Sequence, residues 1–467
     1  MLFYRPADGV AADFIPFYWE GQYHLFYLKD YRNKETHGEG TPWFHLVTRD
    51  FVTFEDWGEA LPRGTKDEPD LYVFTGSVIA APDGFHIFYT GHNPHYKDTG
   101  RPIETVLHAT SPDLRTWTKD AKFSFPAPAG QGLEPHDWRD PFVYGKPGRY
   151  RMLLAARRDH GPKRLRGFTA CAESANLRTW RYTGEFYAPD CYYTHECPDL
   201  FTLGKHTYLI FSEFSEGRLT RYRLDAEGRS GLISPPDDCF DAQGNYAAKT
   251  AGTRTRRHLF GWLPTRHEEK DSGGWQWGGN LVVHELWPRP DGSLAVRAPR
   301  TVLAACAQPR PLPCQPLLGL WRGRGHAYDV AAWDRHAVAL FGEQPAAGLL
   351  ELHLQLEHGS QAGGVILRAA PELESYYQVR LEPCRQRLVF DRWPRPGDQS
   401  FMLERPLFAH SGEPVTLRLL FDGTCLVVYA NDEVALSTRL YDHRAGQWGL
   451  FVTEGEGHFR RVSLKVP

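Results

Sequence analysis

The sequence predicts an all-β protein, a five-bladed β-propeller followed by a C-terminal β-sandwich. A strand motif and a turn motif that recur in phase along the first two thirds of the chain predict the propeller. Strict alternation of apolar and polar residues after a proline-rich segment predicts the sandwich. The composition agrees, because 44 glycines, 35 prolines and 13% aromatic residues are typical of a loop-rich β protein.

The recurring strand begins at a glycine in a turn and continues as an aromatic, alternating segment. The copies read GQYHLFY at 21–27, GFHIFY at 84–89, GRYRMLL at 148–154, GKHTYLIF at 204–211 and, more faintly, RRHLFGW at 256–262. Strand repeats of roughly 50–65 residues are typical of propeller blades. Five copies therefore predict five blades.

A second motif recurs in phase with the first. It reads DFVTF at 50–54, DLRTW at 113–117 and NLRTW at 176–180. An Asp or Asn that opens such a segment favours a turn, because its side chain accepts hydrogen bonds from the backbone that follows. We interpret the motif as a turn with a packed aromatic residue in each blade, and therefore as evidence of architecture.

The pattern changes after residue 300. A proline-rich passage, QPRPLPCQP at 308–316, is followed by alternating segments such as LLELHLQL at 349–356 and VTLRLLF at 415–421. Dense prolines stiffen a connector and exclude it from a central strand. We expect a propeller over 1–302, a linker over 303–318 and a sandwich over 319–467. The sandwich has no acid cluster, so we expect it to pack against the propeller or bind sugar.

Composition limits the function classes. The net charge of −3 over 467 residues favours neither nucleic acid nor an anionic membrane as a partner. No apolar run is long enough to span a bilayer, and the first residues do not resemble a signal peptide. We expect a cytoplasmic protein, with a secreted mature form as the alternative. The eight cysteines show no C-x-x-C pattern, so we expect buried free thiols, and neither metal nor cofactor is predicted.

Three acids fall at one phase of the strand repeat. Each lies eight residues before a repeat glycine, and the three are Asp13, Asp140 and Glu196. Equivalent positions in successive blades surround one axis, so we expect the three carboxyl groups to face one cavity. Crowded like charges destabilise a fold, which favours a chemical role for these acids. Other acids are interpreted more simply, Asp199 as a turn or cap residue and Glu134, Asp137 and Asp190 as solvent-facing loop residues.

Around these acids the chain resembles glycoside hydrolase family 32, the invertase, levanase and inulinase type. The resemblance rests on an R-D-P motif in WRDPFV at 138–143 and an E-C-P-D motif in HECPDLF at 195–201. Further similar segments follow the family's order: WFHLVTRD at 43–50, FTGS at 74–77, YAAKT at 246–250, and GW at 261–262. The resemblance covers nearly the whole chain, and it implies a propeller and a sandwich.

The resemblance implies a role for each matched residue. Asp13 would be the nucleophile and Glu196 the general acid/base of a retaining hydrolysis of β-fructofuranosides, with the two carboxyl groups about 5–5.5 Å apart. Asp140 would hold sugar hydroxyls and stabilise the transition state. The expected substrate-binding residues are Arg139, Trp43, Phe74, Thr75, Trp262 and Trp277. The expected partner is a small carbohydrate, and the oligomeric state is not predicted.

The first motif departs from the family pattern. The family usually has W-M-N-D-P-N-G, whereas this chain has VAADFIP at 10–16, so Ala12 replaces the Asn before the Asp. Lost amides remove hydrogen bonds to the sugar, and a site without those donors prefers another hydroxyl pattern. The substrate among sucrose, levan and inulin therefore stays open.

Three other functions stay open at this point. The first is an inverting enzyme of the related arabinanase and xylosidase family 43, which has the same propeller with an early Asp, a middle Asp and a Glu. The second is a sugar-binding propeller without catalysis, since the motif around Asp13 is altered. The third is a protein-interaction scaffold, a common use of propellers. The three acids in phase argue against the scaffold.

Overall fold

The computed structural model describes residues 1–225, 231–397 and 402–467. Strands dominate these residues, and they form a propeller in the first part of the chain and a sandwich in the second. The predicted fold class is thereby confirmed.

Each blade consists of four antiparallel strands, and the first strand of each blade lies innermost. Blade one consists of β1 (Val10–Trp19), β2 (Gln22–Asp30), β3 (Trp43–Thr48) and β4 (Glu55–Leu61), and blade two of β5 (Tyr72–Ala81), β6 (Gly84–His92), β7 (Glu104–Ser111) and β8 (Thr118–Lys119). Blade three consists of β9 (Leu133–Lys146), β10 (Arg149–Arg158), β11 (Gly167–Ser174) and β12 (Arg181–Tyr187), and blade four of β13 (Glu196–Leu203), β14 (His206–Glu213), β15 (Leu219–Asp225) and β16 (Leu232–Ile233). Blade five consists of β17 (Tyr246–Gly252), β18 (Arg257–Arg266), β19 (Trp275–Pro288) and β20 (Leu294–Arg297).

The ring of blades closes between the first and the last. Strand β1 pairs with β19 at Ala11 and Gly279, so blades one and five form one continuous sheet. A side chain at Gly279 would collide with the carbonyl oxygen of Leu263, at 1.8 Å from its Cβ position. Glycine is therefore required where the two ends of the propeller meet.

The turn motif adopts the predicted conformation in three blades. Asp50 Oδ1 accepts hydrogen bonds from the backbone N–H groups of Val52 and Thr53, at 2.9 and 2.7 Å. Asp113 and Asn176 accept the same pair of bonds in blades two and three. The aromatic residues that follow pack against the core, so the architectural interpretation is confirmed.

The sandwich encloses its own apolar core. Its strands are β21 (Gln308–Pro309), β22 (Gln315–Leu318), β23 (Leu320–Arg324), β24 (Ala327–Glu343), β25 (Ala347–Leu356), β26 (Ala362–Ala369), β27 (Tyr376–Glu382), β28 (Arg387–Trp393), β29 (Leu403–Pro406), β30 (Pro414–Asp422), β31 (Cys425–Ala430), β32 (Val434–Arg439) and β33 (Gln447–Val466). The last strand pairs with β26 through its first part and with β25 through its second, and it so connects the two sides of the sandwich.

Helices are short. The α-helices are α1 (Lys34–His37) and α2 (Arg300–Ala304), and the 3₁₀ helices are Pro94–Tyr96, Lys163–Leu165, His267–Glu269, Pro371–Leu373 and Pro383–Arg385. Within the described ranges, no helix is long and apolar enough to cross a membrane. All eight cysteines lie in these ranges as free thiols. Four are buried as predicted (Cys171, Cys197, Cys306 and Cys425), whereas Cys239 and Cys314 are half-buried and Cys191 and Cys384 are exposed, so the prediction of burial is wrong for these last four.

Part of the expected linker belongs to the sandwich sheet. Gln308 and Pro309 pair with β33, and Gln315 to Leu318 pair with β24. Their prolines lie on short or outer strands, where a missing N–H costs no central ladder bond. The division into 1–302, 303–318 and 319–467 stays a prediction.

The sandwich contacts the propeller through buried polar groups. Arg439, at the end of β32, donates hydrogen bonds to the carbonyl oxygens of Leu263 and Pro264 and to Asn280 Oδ1, at 2.7, 3.0 and 2.7 Å. These acceptors lie on β18 and β19 of blade five. The sandwich therefore supports the blade that carries Trp262 and Trp277.

Candidate active site

Every innermost strand breaks its hydrogen-bond ladder at one level. The register shifts by a bulge at Asp13-Phe14 in β1, Thr75 in β5, Asp140-Pro141 in β9, Cys197-Pro198 in β13 and Ala247-Ala248 in β17. Four of these bulges contain a residue with positive φ, at +41° for Asp13 and +58° for Asp140. A bulge turns a side chain away from the regular pleat, so the five blades aim side chains at the central axis.

Glu196, the acid of blade four, lies one residue before the position that is structurally equivalent to Asp13 and Asp140. Glu196 pairs with β14 just ahead of the bulge, at the place that Arg139 occupies in β9. The reason is the hairpin turn: Gly204 is the first residue of its two-residue turn, whereas Gly148 is the second of its own. Counting back from the glycine therefore missed the true equivalent, Cys197, by one residue.

The three predicted acids nevertheless line one cleft. Its volume is about 330 Å³. The lining residues are Asp13, Phe74, Glu104, Asp137, Arg139, Asp140, Glu196, Cys197, Tyr246, Ala247 and Trp277.

Asp13 is held by two neutral donors. Its Oδ2 accepts a hydrogen bond from Thr75 Oγ1 at 2.7 Å, and its Oδ1 accepts one from Trp262 Nε1 at 2.9 Å. Burial raises the pKa of Asp13 to about 7, although the bond from Thr75 lowers it and the charge of Asp140 raises it further. Both carboxylate oxygens are thus oriented without a cation at hydrogen-bond distance.

Asp140 is fixed by a backbone N–H of blade four and a side-chain hydroxyl of blade two. Its Oδ2 accepts a hydrogen bond from the Cys197 N–H at 2.9 Å, and its own N–H donates to Thr90 Oγ1 at 2.8 Å. Burial raises the pKa of Asp140 to about 6, against the opposing charge of Arg139. The residue therefore connects blades two, three and four at the base of the cleft.

Glu196 has one cationic and one phenolic partner. Its Oε1 accepts a hydrogen bond from Arg139 Nη2 at 3.3 Å, and its Oε2 accepts one from the Tyr246 hydroxyl at 2.5 Å. The bond from Arg139 is charge-assisted, whereas the bond from Tyr246 comes from a neutral hydroxyl. A phenol can both donate and accept a hydrogen bond, so Tyr246 is a versatile partner for this carboxyl group.

Arg139 is the cation at the centre of the acids. Its Nη1 contacts Asp137 at 2.7 Å and Glu104 at 3.2 Å, its Nη2 contacts Glu196, and its Nε lies 3.9 Å from Asp140 Oδ2. The prediction that Asp137 faces solvent is wrong, because this ion pair draws it into the cleft wall. Asp190 is exposed, as predicted.

The predicted aromatic residues divide into two groups. Phe74 and Trp277 line the cleft wall. Trp43 is fully buried outside the lining, where its Nε1 donates to the carbonyl oxygens of Val73 and Phe74. Its ring therefore supports β5 and is too deep to stack on a sugar.

Trp262 and Thr75 also lie behind the surface. They are 2% and 0% exposed, and both donate to Asp13. The structure thus places both residues where they orient a carboxylate, whereas the sequence predicts that both bind substrate.

The Asp of the E-C-P-D motif has a structural position. Asp199 is fully buried, and its Oδ2 accepts hydrogen bonds from the N–H and the hydroxyl of Thr250, at 2.6 and 2.7 Å. The prediction of a turn residue is wrong, because this carboxylate joins β13 to β17 and so holds blade four against blade five.

A second cleft adjoins the first. It encloses about 310 Å³ and shares Phe74 and Trp277 with the acid cleft. Its other lining residues are Asp30, Tyr31, Arg32, Asn33, Lys34, Gly38, Gly40, Thr41 and Tyr72. Arg32 fixes the shared wall by donating to the carbonyl oxygen of Trp277 at 2.5 Å.

Sequence reasoning missed two site residues. Tyr246 stands in the YAAKT segment, which was recognised only as a similarity. Glu104 lies on β7, outside the innermost strands, so the repeat phase gave no signal for it. Among the described residues, no three His, Cys, Asp or Glu side chains lie in an arrangement that could hold a metal ion.

Comparison with protein families gives two consecutive matches. The model for the glycosyl hydrolases family 32 N-terminal domain matches residues 7–294. The model for the glycosyl hydrolases family 32 C-terminal region matches residues 327–466. Together they cover the propeller and most of the sandwich.

Curated relatives agree with these matches. A probable sucrose-6-phosphate hydrolase of Psychromonas ingrahamii is 27% identical over 463 residues, which cover 93% of this chain and 76% of the relative. A levanbiose-producing levanase of Bacillus subtilis is 32% identical over 194 residues, 40% of this chain and 34% of the levanase. The chain thus aligns with only about a third of the levanase.

Solved structures share the fold at low identity. Fructan 1-exohydrolase IIa from Cichorium intybus superposes with a TM-score of 0.73 at 18% identity, covering 99% of this chain and 96% of that one. Exo-inulinase from Aspergillus awamori gives a TM-score of 0.73 at 17% identity, covering 100% and 97%. The family matches, the ordered motifs and the shared fold establish that this chain belongs to glycosyl hydrolase family 32, a family of glycosidases.

Proposed function

We propose that the protein hydrolyses a terminal β-fructofuranoside by a retaining, two-carboxylate mechanism. The observation that carries the proposal is the placement of Asp13 and Glu196 in one cleft with different partners. Asp13 has only neutral hydrogen-bond donors, whereas Glu196 contacts Arg139 and Tyr246. Two carboxyl groups in different environments can divide the roles of nucleophile and acid.

Asp13 is the nucleophile in this mechanism. Its carboxylate attacks the anomeric carbon and forms a glycosyl-enzyme intermediate. The bonds from Thr75 and Trp262 restrict rotation of the carboxyl group and so keep it in an attacking geometry. Because both donors are neutral, they orient the oxygen while reducing its nucleophilicity less than a cation would.

Glu196 is the general acid and then the general base. It donates a proton to the leaving oxygen, and it later removes a proton from the water that hydrolyses the intermediate. Arg139 and Tyr246 contact both of its oxygens and stabilise the carboxylate that forms after the first proton transfer.

Asp140 transfers no proton in this scheme. It lies between Arg139 and the Cys197 N–H, with one oxygen held by that N–H. Its carboxylate is placed to accept hydrogen bonds from sugar hydroxyls, which strengthen as positive charge develops on the ring.

The substrate class rests on the relatives. Their names include sucrose-6-phosphate hydrolase, levanase, β-fructofuranosidase and exo-inulinase, which favours a fructofuranoside over a pentoside. We place the leaving group in the second cleft, where Phe74 and Trp277 form the shared wall. Family membership favours the retaining mechanism over the inverting alternative, and the paired carboxyl groups favour catalysis over sugar binding alone.

Azide rescue tests the two roles. With an activated aryl β-fructofuranoside, Glu196→Ala plus azide should yield a fructosyl azide of retained configuration. Asp13→Ala plus azide should yield the inverted product, since azide replaces the missing nucleophile. Asp190→Asn changes an exposed carboxylate that pairs with Arg158 and does not line the acid cleft, so it serves as the control and should behave like wild type. If wild type cleaves fructosides and neither Glu196→Ala nor Asp13→Ala lowers that rate, the proposal is contradicted.

A further inference from the structure

Glu104 is a buried carboxyl group in the acid cleft, in addition to the three predicted acids and Asp137. It is the first residue of β7, and it is 5% exposed. It belongs to the third strand of blade two, so it reaches the cleft from outside the ring of innermost strands. A buried carboxylate beside four others destabilises the fold unless a partner compensates it.

Both oxygens of Glu104 are occupied by protein groups. Oε2 accepts a hydrogen bond from Arg139 Nη1 at 3.2 Å, and Oε1 contacts His92 Nδ1 at 3.2 Å. Burial acts to raise the pKa of Glu104, but the charge of Arg139 and the bond from His92 lower it below its ordinary value. Glu104 is therefore an ionised partner of the arginine and has no free oxygen for a sugar.

His92 links this pair to the cleft wall. Its ring stacks on Phe74, with 4.6 Å between ring centroids and 27° between ring planes. Phe74 lines both clefts and, with Trp277, forms the wall between them. One continuous chain of contacts thus runs from Phe74 through His92 and Glu104 to Arg139.

We infer that Glu104 is a positioning residue for Arg139: it holds the guanidinium between Asp140 and Glu196 and offsets part of its positive charge. The inference rests on the proposed function, because Glu196 is the acid whose proton Arg139 controls. Arg139 Nη1 is directed to Glu104 and Asp137, which leaves Nη2 for Glu196. Without Glu104, the arginine would be freer to move and would attract the charge of Glu196 more strongly.

The direction of the effect follows from the charges around the two groups. Glu104 faces His92 from β6 and Arg139, Asp137 and Asp140 from β9. Glu196 faces Arg139 and Asp140 from β9, Tyr246 from β17 and Asp13 from β1. Loss of one negative charge from this set favours ionisation of the remaining carboxyl groups, so Glu196 should release its proton at lower pH.

Glu104→Gln tests the inference, because Gln keeps the shape and can keep both hydrogen bonds. The alkaline limb of the kcat/KM profile should move to lower pH by about 1 unit. Glu104→Asp keeps the charge but shortens the side chain, so it should lower kcat/KM and leave the limb in place. Glu185→Gln, an exposed Glu that pairs with Arg158, is the matched control and should change neither.

A titration without substrate separates this inference from the proposed function. In protein labelled with ¹³C at glutamate carboxyl carbons, the Glu196 signal is the one lost in Glu196→Gln. That signal should titrate at lower pH in Glu104→Gln than in wild type, whether or not any fructoside is cleaved. If the Glu196 signal titrates at the same pH in folded Glu104→Gln as in wild type, the inference is overturned. If Glu104→Gln does not fold, the same comparison is made with Glu104→Ala. Inactivity toward all fructosides would instead overturn the proposed function.

Discussion

Replacement of the proposed nucleophile should make the protein more stable as it becomes inactive. Asn at position 13 can still accept the bond from Trp262 and can donate to Thr75, so Asp13→Asn removes little besides the charge. That charge is unfavourable in the folded state, since burial raises the pKa of Asp13 from 3.8 to about 7. Active sites often carry such local destabilisation.

The magnitude follows from the pKa difference. A difference of about 3 units corresponds to about 4 kcal/mol, and solvent in the open cleft reduces this to about 2 kcal/mol. Because the folded-state pKa is raised, the folded protein binds a proton that the unfolded chain has released between about pH 4 and 7. The free energy of unfolding therefore falls as the pH rises through this window, and Asn removes that loss.

Urea unfolding at two pH values is the assay. At pH 8, Asp13→Asn should exceed wild type by about 2 kcal/mol, and at pH 4.5 the gain should nearly vanish. Fructoside turnover should fall by about 10⁴-fold or more, as expected for a lost nucleophile. Asp190→Asn should leave both quantities unchanged. A variant no more stable than wild type at pH 8 would refute the argument that Asp13 is a strained, desolvated carboxylate.

Three further predictions concern the acid, the domain contact and the buried histidines. Tyr246→Phe removes the hydroxyl bonded to Glu196 and should lower kcat/KM by about tenfold, measured with the preferred fructoside. Arg439→Met leaves carbonyl acceptors of blade five without donors and should lower the free energy of unfolding by about 2–4 kcal/mol in urea, whereas an equal stability would exclude a role for this contact. Burial lowers the pKa of His24 to about 4 and of His45 to about 2. As the pH is lowered, these histidines therefore bind protons in the unfolded chain before they do so in the folded protein. The free energy of unfolding should accordingly decrease at pH values below about 6.5. His45→Gln should reduce that acid-induced loss, and an unchanged pH dependence would contradict the assignment.

The architecture was predictable because the repeat is a direct consequence of local chemistry. Each blade needs an apolar second strand and a tight turn, and residues such as Asp50 and Asp113 supply that turn through their own side chains. These requirements recur at fixed spacing, so five blades could be counted without coordinates. The convergence of Asp13 and Asp140 follows from the same periodicity, and Glu196 lies one residue from the equivalent position.

The details of the site could not be predicted as well from the sequence, because they depend on β-bulges and on contacts between blades. The position of Gly204 within its turn displaced Glu196 by one residue, and a count back from the glycine alone does not detect this. Trp43 was assigned to the sugar, yet its distance from the surface depends on the packing of β5 and β3. Glu104 enters from a third strand, and only the ion pair with Arg139 reveals it.

The stereochemistry of transfer to methanol tests the central claim most directly. A retaining enzyme forms a fructosyl-enzyme on Asp13, and methanol intercepts it from the face that Glu196 serves. The product should be the methyl β-fructofuranoside, whose anomeric configuration is stable and can be read by ¹³C NMR. A methyl α-fructofuranoside would show a single displacement and would contradict the proposed roles of Asp13 and Glu196.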